Sequence, residues 1–218
     1  MRFDTVIFDL DGTLLYTLEG LHRSINFSLR SHGLPELTLS ETRRFVGNGS
    51  RKLAERAVKG ALERMEAVHE TYCAHYSAHA HEGTRPYEGI PEFLDALRHA
   101  GIKTGVVSNK PDCDAVPMIA RYFGDRIAVT IGKKPEYDPK PDPRAVREAM
   151  AQLGAETERT LYVGDSDVDF FTAKNAGIPC VLVSWGYRDM DELKGCAALA
   201  VVDSAAELRA FILEEKEE

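Results

Sequence analysis

Short apolar runs that each stop at a polar cluster constrain this chain more than any other feature. Residues 4–8 (DTVIF) are mostly apolar and β-branched, too short for a helix, and halt at Asp9. They read as a buried strand. Residues 104–107, 160–163 and 180–183 repeat the pattern, with 127–131 and 199–202 as weaker versions. Helical stretches lie between them. PEFLDALRHAG has Pro91 near its start and Gly101 just past its end, DPRAVREAMAQLG stops at Gly154, and DVDFFTAKNAG stops at Gly177. SAAELRAFIL opens with Ser204 and Glu207 at the spacing of a capping box. Strands alternating with helices from residue 86 onward predict an α/β fold, a parallel sheet with helices on both faces.

Residues 17–85 break that rhythm. Leu18, Leu21, Ile25 and Leu29 share one helical face. A second helical stretch over 51–81 is interrupted by Gly60 and so holds more than one helix. This block reads as an inserted helical domain, 17–85, within a core formed by 1–16 and 86–218. Gly83, Pro86 and Gly89 mark the return crossing. The terminal EEKEE (214–218) reads as a frayed helix end.

Composition limits the partners. The net charge of −8 argues against nucleic acid and anionic membrane surfaces, and an apolar fraction of 44% fits a chain that buries a real core. No apolar run reaches the length of a membrane span, and MRFDTVIFDLDG carries acids inside its apolar stretch, unlike a signal peptide. Cys73, Cys113, Cys180 and Cys196 form no CxxC pair. Free buried thiols in a reducing cytoplasm are expected, and a monomer or homodimer.

The chemistry gathers at the predicted strand ends. The first strand runs into Asp9-Leu10-Asp11-Gly12-Thr13, the run at 104–107 into Ser108-Asn109-Lys110, and the run at 160–163 into Gly164-Asp165-Ser166-Asp167-Val168-Asp169. In a parallel sheet these ends share one edge, where ligands bind. Lys140-Pro141 precedes the helix that feeds the last of these strands. Singly, each cluster suits an ordinary turn. Together, Asp9, Asp11 and Asp165 would repel one another unless a divalent cation joined them, and magnesium commonly binds through a few carboxylates plus substrate phosphate. Ser108, Lys140 and the backbone N–H groups of the Asp11–Gly12 turn could complete a phosphate site. His75 and His79 stand at i, i+4 with His81 nearby, but no acid or cysteine completes a metal set, so a solvated helix face is favoured.

In this order the motifs resemble the haloacid dehalogenase superfamily of phosphatases, and within it the phosphoglycolate phosphatase branch. LLYTLEGL (14–21), FVGNGSRKLAERA (45–57), Val107-Ser108-Asn109-Lys110-Pro111 and Trp185-Gly186-Tyr187 support the narrower likeness. The resemblance implies a Rossmann-like parallel sheet core with an inserted helical cap domain. It implies Mg²⁺-dependent hydrolysis of a small phosphorylated metabolite, first 2-phosphoglycolate, through an aspartyl-phosphate. By the same resemblance Asp9 would be nucleophile and metal ligand, and Asp11 the general acid–base, touching the metal through its carbonyl. Lys140 would steady nucleophile and phosphoryl group. Asp165 would ligate metal, with Asp169 behind it. Gly12, Thr13, Ser108 and Asn109 would meet the substrate from the core, and Asn48 and Gly49 from the cap.

Lys140 is preferred over the Lys133-Lys134-Pro135 alternative because it adjoins the helix leading into GDSxxD. Tyr16 stands where many relatives carry an acid, at the start of the linker. Phosphomutase, pyrophosphatase and nucleotidase activities share the scaffold. A non-catalytic module that senses a phosphometabolite is the reading from another class.

Overall fold

The computed structural model describes residues 3–213, so the EEKEE tail lies outside the described residues. Its central strand, β1 (Thr5–Phe8), is buried at all four positions. β2 (Leu15–Tyr16) follows a tight turn, and four helices come next: α1 (Leu18–Ser31), α2 (Leu39–Phe45), α3 (Ser50–Ala57) and α4 (Met65–His79). β3 (Arg85–Pro86) returns antiparallel to β2. The chain then alternates through α5 (Ile90–His99), β4 (Lys103–Pro111), α6 (Asp112–Tyr122), β5 (Val129–Lys133) and α7 (Arg144–Leu153). It continues through β6 (Thr160–Gly164), α8 (Asp167–Ala176), β7 (Cys180–Val183), α9 (Met190–Lys194), β8 (Ala200–Val202) and α10 (Ala205–Leu213).

The main sheet is parallel throughout, in the order β5-β4-β1-β6-β7-β8. From β1 the chain goes to β4 on one side and outward to β5, then crosses back to β6 on the other side and outward through β7 to β8. That makes the carboxyl end of β1 the topological switch point, where a crevice opens. Side chains of β1 alternate between faces. Val6 and Phe8 enter the apolar layer shared with α5 and α10, while Ile7 enters the layer shared with α7, α8 and α9. Phe8 meets Phe93 edge to face, with ring centroids 6.0 Å apart.

Leu18, Leu21, Ile25 and Leu29 of α1 are all buried, as their spacing predicts. α1 is tied to α4 by Ser28 Oγ, which donates to the Val68 carbonyl at 2.6 Å. The break expected at Gly60 separates α3 from α4.

Two features differ from the sequence reading. β4 does not stop at Val107 but runs to Pro111, with its pairing to β5 shifted between Val107 and Pro111. The physical reason is a second tie to β5: Gly132 N–H donates to Asp112 Oδ1 at 2.8 Å, holding the extended segment in place past Ser108. The crossings at 15–16 and 85–86 form a small ribbon that no run of apolar residues announces. Arg85 lies over the Tyr16 ring there, 4.2 Å from its centroid. Of the four free cysteines only Cys180 is buried, and Cys113 is exposed. Among the described residues no helix is long and apolar enough to cross a membrane.

Candidate active site

Asp9 directly follows β1, Asp165 directly follows β6, and Ser108 lies in the extended second half of β4. Their backbones meet at the switch point, and Lys140 reaches the same place from the loop before α7. Its Nζ stands 2.7 Å from Asp9 Oδ1 and 2.7 Å from Asp169 Oδ1, with Tyr162 Oη at 3.2 Å. Lys133, the rejected alternative, turns instead to the carbonyls of Lys134 and Tyr137.

Carboxylate oxygens of Asp9, Asp165 and Asp169 lie within 4.8 Å of one another, all buried. Two of the three, Asp9 and Asp169, share the Lys140 ammonium. Burial raises Asp9 well above the usual carboxylate range; Lys140 opposes this, but Asp169 and Asp165 add to it. Burial also carries Asp165 up to about 7, reinforced by Asp169. Burial works against the charge on Lys140, but Asp169 and Asp9 outweigh it and hold the ammonium well above the ordinary lysine value.

The hydrogen bonds sort these acids. Both oxygens of Asp169 are engaged: Oδ1 with Lys140 and Tyr162, Oδ2 with Ser166 Oγ at 2.6 Å and Asp165 N–H at 3.2 Å. Asp9 uses Oδ1 on Lys140, and Asp165 uses Oδ2 on the Tyr187 N–H at 2.7 Å. One oxygen each of Asp9 and Asp165 therefore carries no hydrogen bond to a described residue. Two hard oxygen donors beside an acid locked by its neighbours suit a small divalent cation. The backbone is shaped around them. A Cβ on Gly12 would come within 2.4 Å of Asp165 Oδ2, and one on Gly186 within 2.2 Å of Asp165 Cβ. Gly12 also has φ +90°, which favours glycine.

Asp11 leaves the cluster and faces the helical block. Its Oδ1 accepts from Thr17 Oγ1 at 2.6 Å, and its Oδ2 pairs with Lys110 Nζ at 3.1 Å. Lys110 also donates to Tyr76 Oη of α4 at 2.8 Å. Burial opposes the charge on Lys110, yet Asp11 and Tyr76 hold its ammonium above the ordinary lysine value. Thr17 is gripped from the other side by Tyr187, whose Oη accepts from the Thr17 N–H at 2.9 Å. Between Asp9, Asp11, Ser108 and the helices lies a cavity of about 50 Å³ of space open to water centres, walled by Leu53, Tyr72 and Tyr76 on the helical side.

Several expected substrate contacts are placed differently. The Gly12 N–H donates to the Leu15 carbonyl at 2.9 Å, so it is not available to a phosphate; the Asp11 N–H makes no hydrogen bond to a described residue. Thr13 Oγ1 is buried without a partner among the described residues. Asn109 commits both ends of its amide to the protein: Oδ1 accepts from Lys140 N–H at 2.7 Å, and Nδ2 donates to the Gly47 carbonyl at 3.0 Å. Gly49 lines the cavity beside Gly47, but Asn48 does not. His75 stacks between Phe27 and His79 and bonds Ser24, away from any acid cluster.

Sequence reasoning gave no role to Lys110, Tyr76, Tyr162 or Arg188. Only Lys110 carried a signal, as the third residue of its motif. Arg188 is buried and donates through Nη2 to the Val46 carbonyl at 2.9 Å, bridging the loop after β7 to the α2–α3 loop.

Comparison with known proteins meets this geometry from outside. The chain is 35% identical over 212 residues to the phosphoglycolate phosphatase of Agrobacterium fabrum, covering 92% of this chain and 88% of that protein. It is 33% identical over 212 residues to the N-acetylmuramic acid 6-phosphate phosphatase of Pseudomonas aeruginosa, covering 95% and 94%. A solved structure from Lactobacillus delbrueckii, itself assigned only by inference as a phosphoglycolate phosphatase, superposes with TM-score 0.92 at 27% identity, covering 99% of this chain and all of that one. The family description haloacid dehalogenase-like hydrolase matches residues 6–183, from the central strand through β7. With the acid-ended switch point, the motif order and these matches in agreement, the chain belongs to the haloacid dehalogenase-like hydrolases.

Proposed function

We propose that this chain hydrolyses a small phosphate monoester through an aspartyl-phosphate on Asp9, with 2-phosphoglycolate as the first substrate to try. One observation carries the reading. Asp9 ends the central strand with one oxygen held by Lys140 and the other uncommitted, beside Asp165 and below Ser108.

In the first step a carboxylate oxygen of Asp9 bonds to phosphorus as the ester P–O bond breaks. Asp11 gives its proton to the departing alkoxide, then takes one from the water that hydrolyses the aspartyl-phosphate. Ser108 Oγ and the Asp11 N–H are positioned to donate to phosphoryl oxygens, and Lys140 offsets charge at the nucleophile. Asn109 holds the Lys140 backbone that aims the ammonium. Asp9 and Asp165, with the Asp11 carbonyl, would hold magnesium, which supplies positive charge against the transferring group. Residues 17–85 serve as a cap that keeps bulk water out.

The cavity supports a small leaving group. A water needs about 10–15 Å³ by this measure, so about 50 Å³ holds the equivalent of about three to five waters. That favours a short leaving group over a bulky one, and the relative from A. fabrum is named for phosphoglycolate. The test is phosphate release from 2-phosphoglycolate and a panel of phosphorylated metabolites, with magnesium and with EDTA. Magnesium-dependent release, highest in kcat/KM for the shortest esters, is expected. No release from any ester by folded, magnesium-loaded protein would overturn the reading.

A further inference from the structure

Asp9, Asp11 and Asp114 are the acidic side chains on the cavity wall, and among the described residues lining it Lys110 is the one basic side chain. Its position is unusual for a lysine. Only 6% of it is exposed, it belongs to β4 of the sheet, and it reaches up to the phenol of Tyr76 on α4. Burying an ammonium is costly unless it is paired and hydrogen-bonded. Here Asp11 Oδ2 and Tyr76 Oη take two of its three N–H groups, and the third has no partner among the described residues. The remaining acid on that wall, Asp114, is turned to Ser77 Oγ, 2.7 Å away.

We propose that Lys110 is the specificity-determining residue of this site. It would read a carboxylate carried by the leaving group next to the ester oxygen, and so select phosphorylated 2-hydroxy acids over neutral esters of the same size. The inference rests on the phosphatase reading of the same cavity.

The geometry follows from Asp11. If its carboxyl faces the ester oxygen, the ammonium 3.1 Å from that carboxyl is beside whatever substituent the leaving alcohol carries. In a phosphorylated 2-hydroxy acid the carboxylate is one carbon from the ester oxygen, which places it there. The rest of that wall, Leu53, Tyr72 and the Tyr76 ring, offers a carboxylate no charge to replace its hydration. Tyr76 fixes the ammonium by its hydroxyl and by its ring, whose centroid is 4.4 Å from Nζ. A site with a buried donor rejects the analogue that cannot use it.

Ethyl phosphate matches 2-phosphoglycolate with the carboxylate replaced by a methyl group, so the ratio of their kcat/KM values reads Lys110 directly. The wild-type protein should favour 2-phosphoglycolate, and Lys110→Met should cut the ratio about 10–100-fold, the range for a hydrogen bond to a charged group. Any effect of Lys110 on Asp11 strikes both esters and cancels. Tyr76→Phe, which removes only a hydroxyl, should lower the ratio by a smaller factor and serves if Lys110→Met does not fold. Equal losses on both esters in these variants, or a wild-type ratio near one, would overturn the assignment while leaving the phosphatase standing. No turnover of either ester, or of any other phosphate ester, would remove the phosphatase reading and this inference with it.

Discussion

The Nζ of Lys140 stands 2.7 Å from Oδ1 of Asp9, across 131 positions of sequence. The contact leaves one Asp9 oxygen uncommitted while a cation balances the other. Asp9→Asn keeps the shape and removes the proposed nucleophile. Its kcat should fall by at least about 10⁴-fold, since removing a nucleophile typically has effects of that order or more. Circular dichroism should be unchanged. A folded Asp9→Asn protein with wild-type kcat would sink the mechanism.

EDTA should abolish turnover and added magnesium should restore it. Asp165→Ala should raise the magnesium needed for half-maximal activity by about 10–100-fold, a range typical even for the partners of metal ligands. Gly186→Ala leaves every carboxylate present but drives a methyl group into Asp165. It should raise the magnesium requirement too, and wild-type magnesium dependence in this variant would show that the cradle is not needed.

Proton and cation should compete at the same cluster. Asp165 is carried up to about 7 by burial and Asp169. A carboxylate raised in the folded state favours folding at low pH, and that contribution is lost as pH rises through its folded pKa. The metal-free protein should therefore lose this contribution between about pH 4 and 7, from the ordinary aspartate value to the raised one. Magnesium needs the deprotonated acid, so the rise in Tm it causes should grow over the same interval. Thermal melts with magnesium and with EDTA across that range check both slopes; a magnesium shift that shrinks with rising pH would contradict the assignment.

Asp11→Asn should separate the two chemical steps. An aryl leaving group needs little protonation, whereas an alkyl one needs it badly, and general acid catalysis supplies about 10²–10⁴-fold. The first-step defect should be much larger for 2-phosphoglycolate than for an aryl phosphate, and the aspartyl-phosphate should accumulate with the aryl ester. Rapid-quench measurement of phosphoenzyme formation and decay decides this. Equal defects would assign Asp11 to holding metal or fold.

Arg188→Met should weaken the contact between the core and the α2–α3 loop, since Nη2 no longer holds the Val46 carbonyl. KM for 2-phosphoglycolate should rise about 10-fold, because closing lids contribute to both binding and turnover. Steady-state kinetics with a thermal melt separates this from a loss of fold, and an unchanged KM would show that the bridge does not govern closure.

The alternation of short apolar runs with glycine-ended helices was enough to read the parallel sheet, because strand and helix periodicities are local properties of the chain. Asp9, Lys140 and Asp165 were legible for a related reason: each sits at or beside an element end, and parallel strands bring those ends to one edge; Ser108 was legible because the apolar run of β4 gives way to polar residues there. Where β4 stops was not legible, since its extension depends on Asp112 meeting the Gly132 N–H of a different strand. Nor were the jobs of Asn109, Lys110 and Arg188. Their partners are Lys140 and Gly47, Tyr76, and Val46, residues 31 to 142 positions away. What joins Asn109 to Gly47, Lys110 to Tyr76 and Arg188 to Val46 is how the helical block seats on the sheet, a matter of packing between surfaces, and Asn109 meets Lys140 where β4 and the loop before α7 converge. The sequence by itself determined which groups stand at the crevice; tertiary packing decided which of them is left free to react, because a buried polar atom takes whatever partner the fold brings within reach.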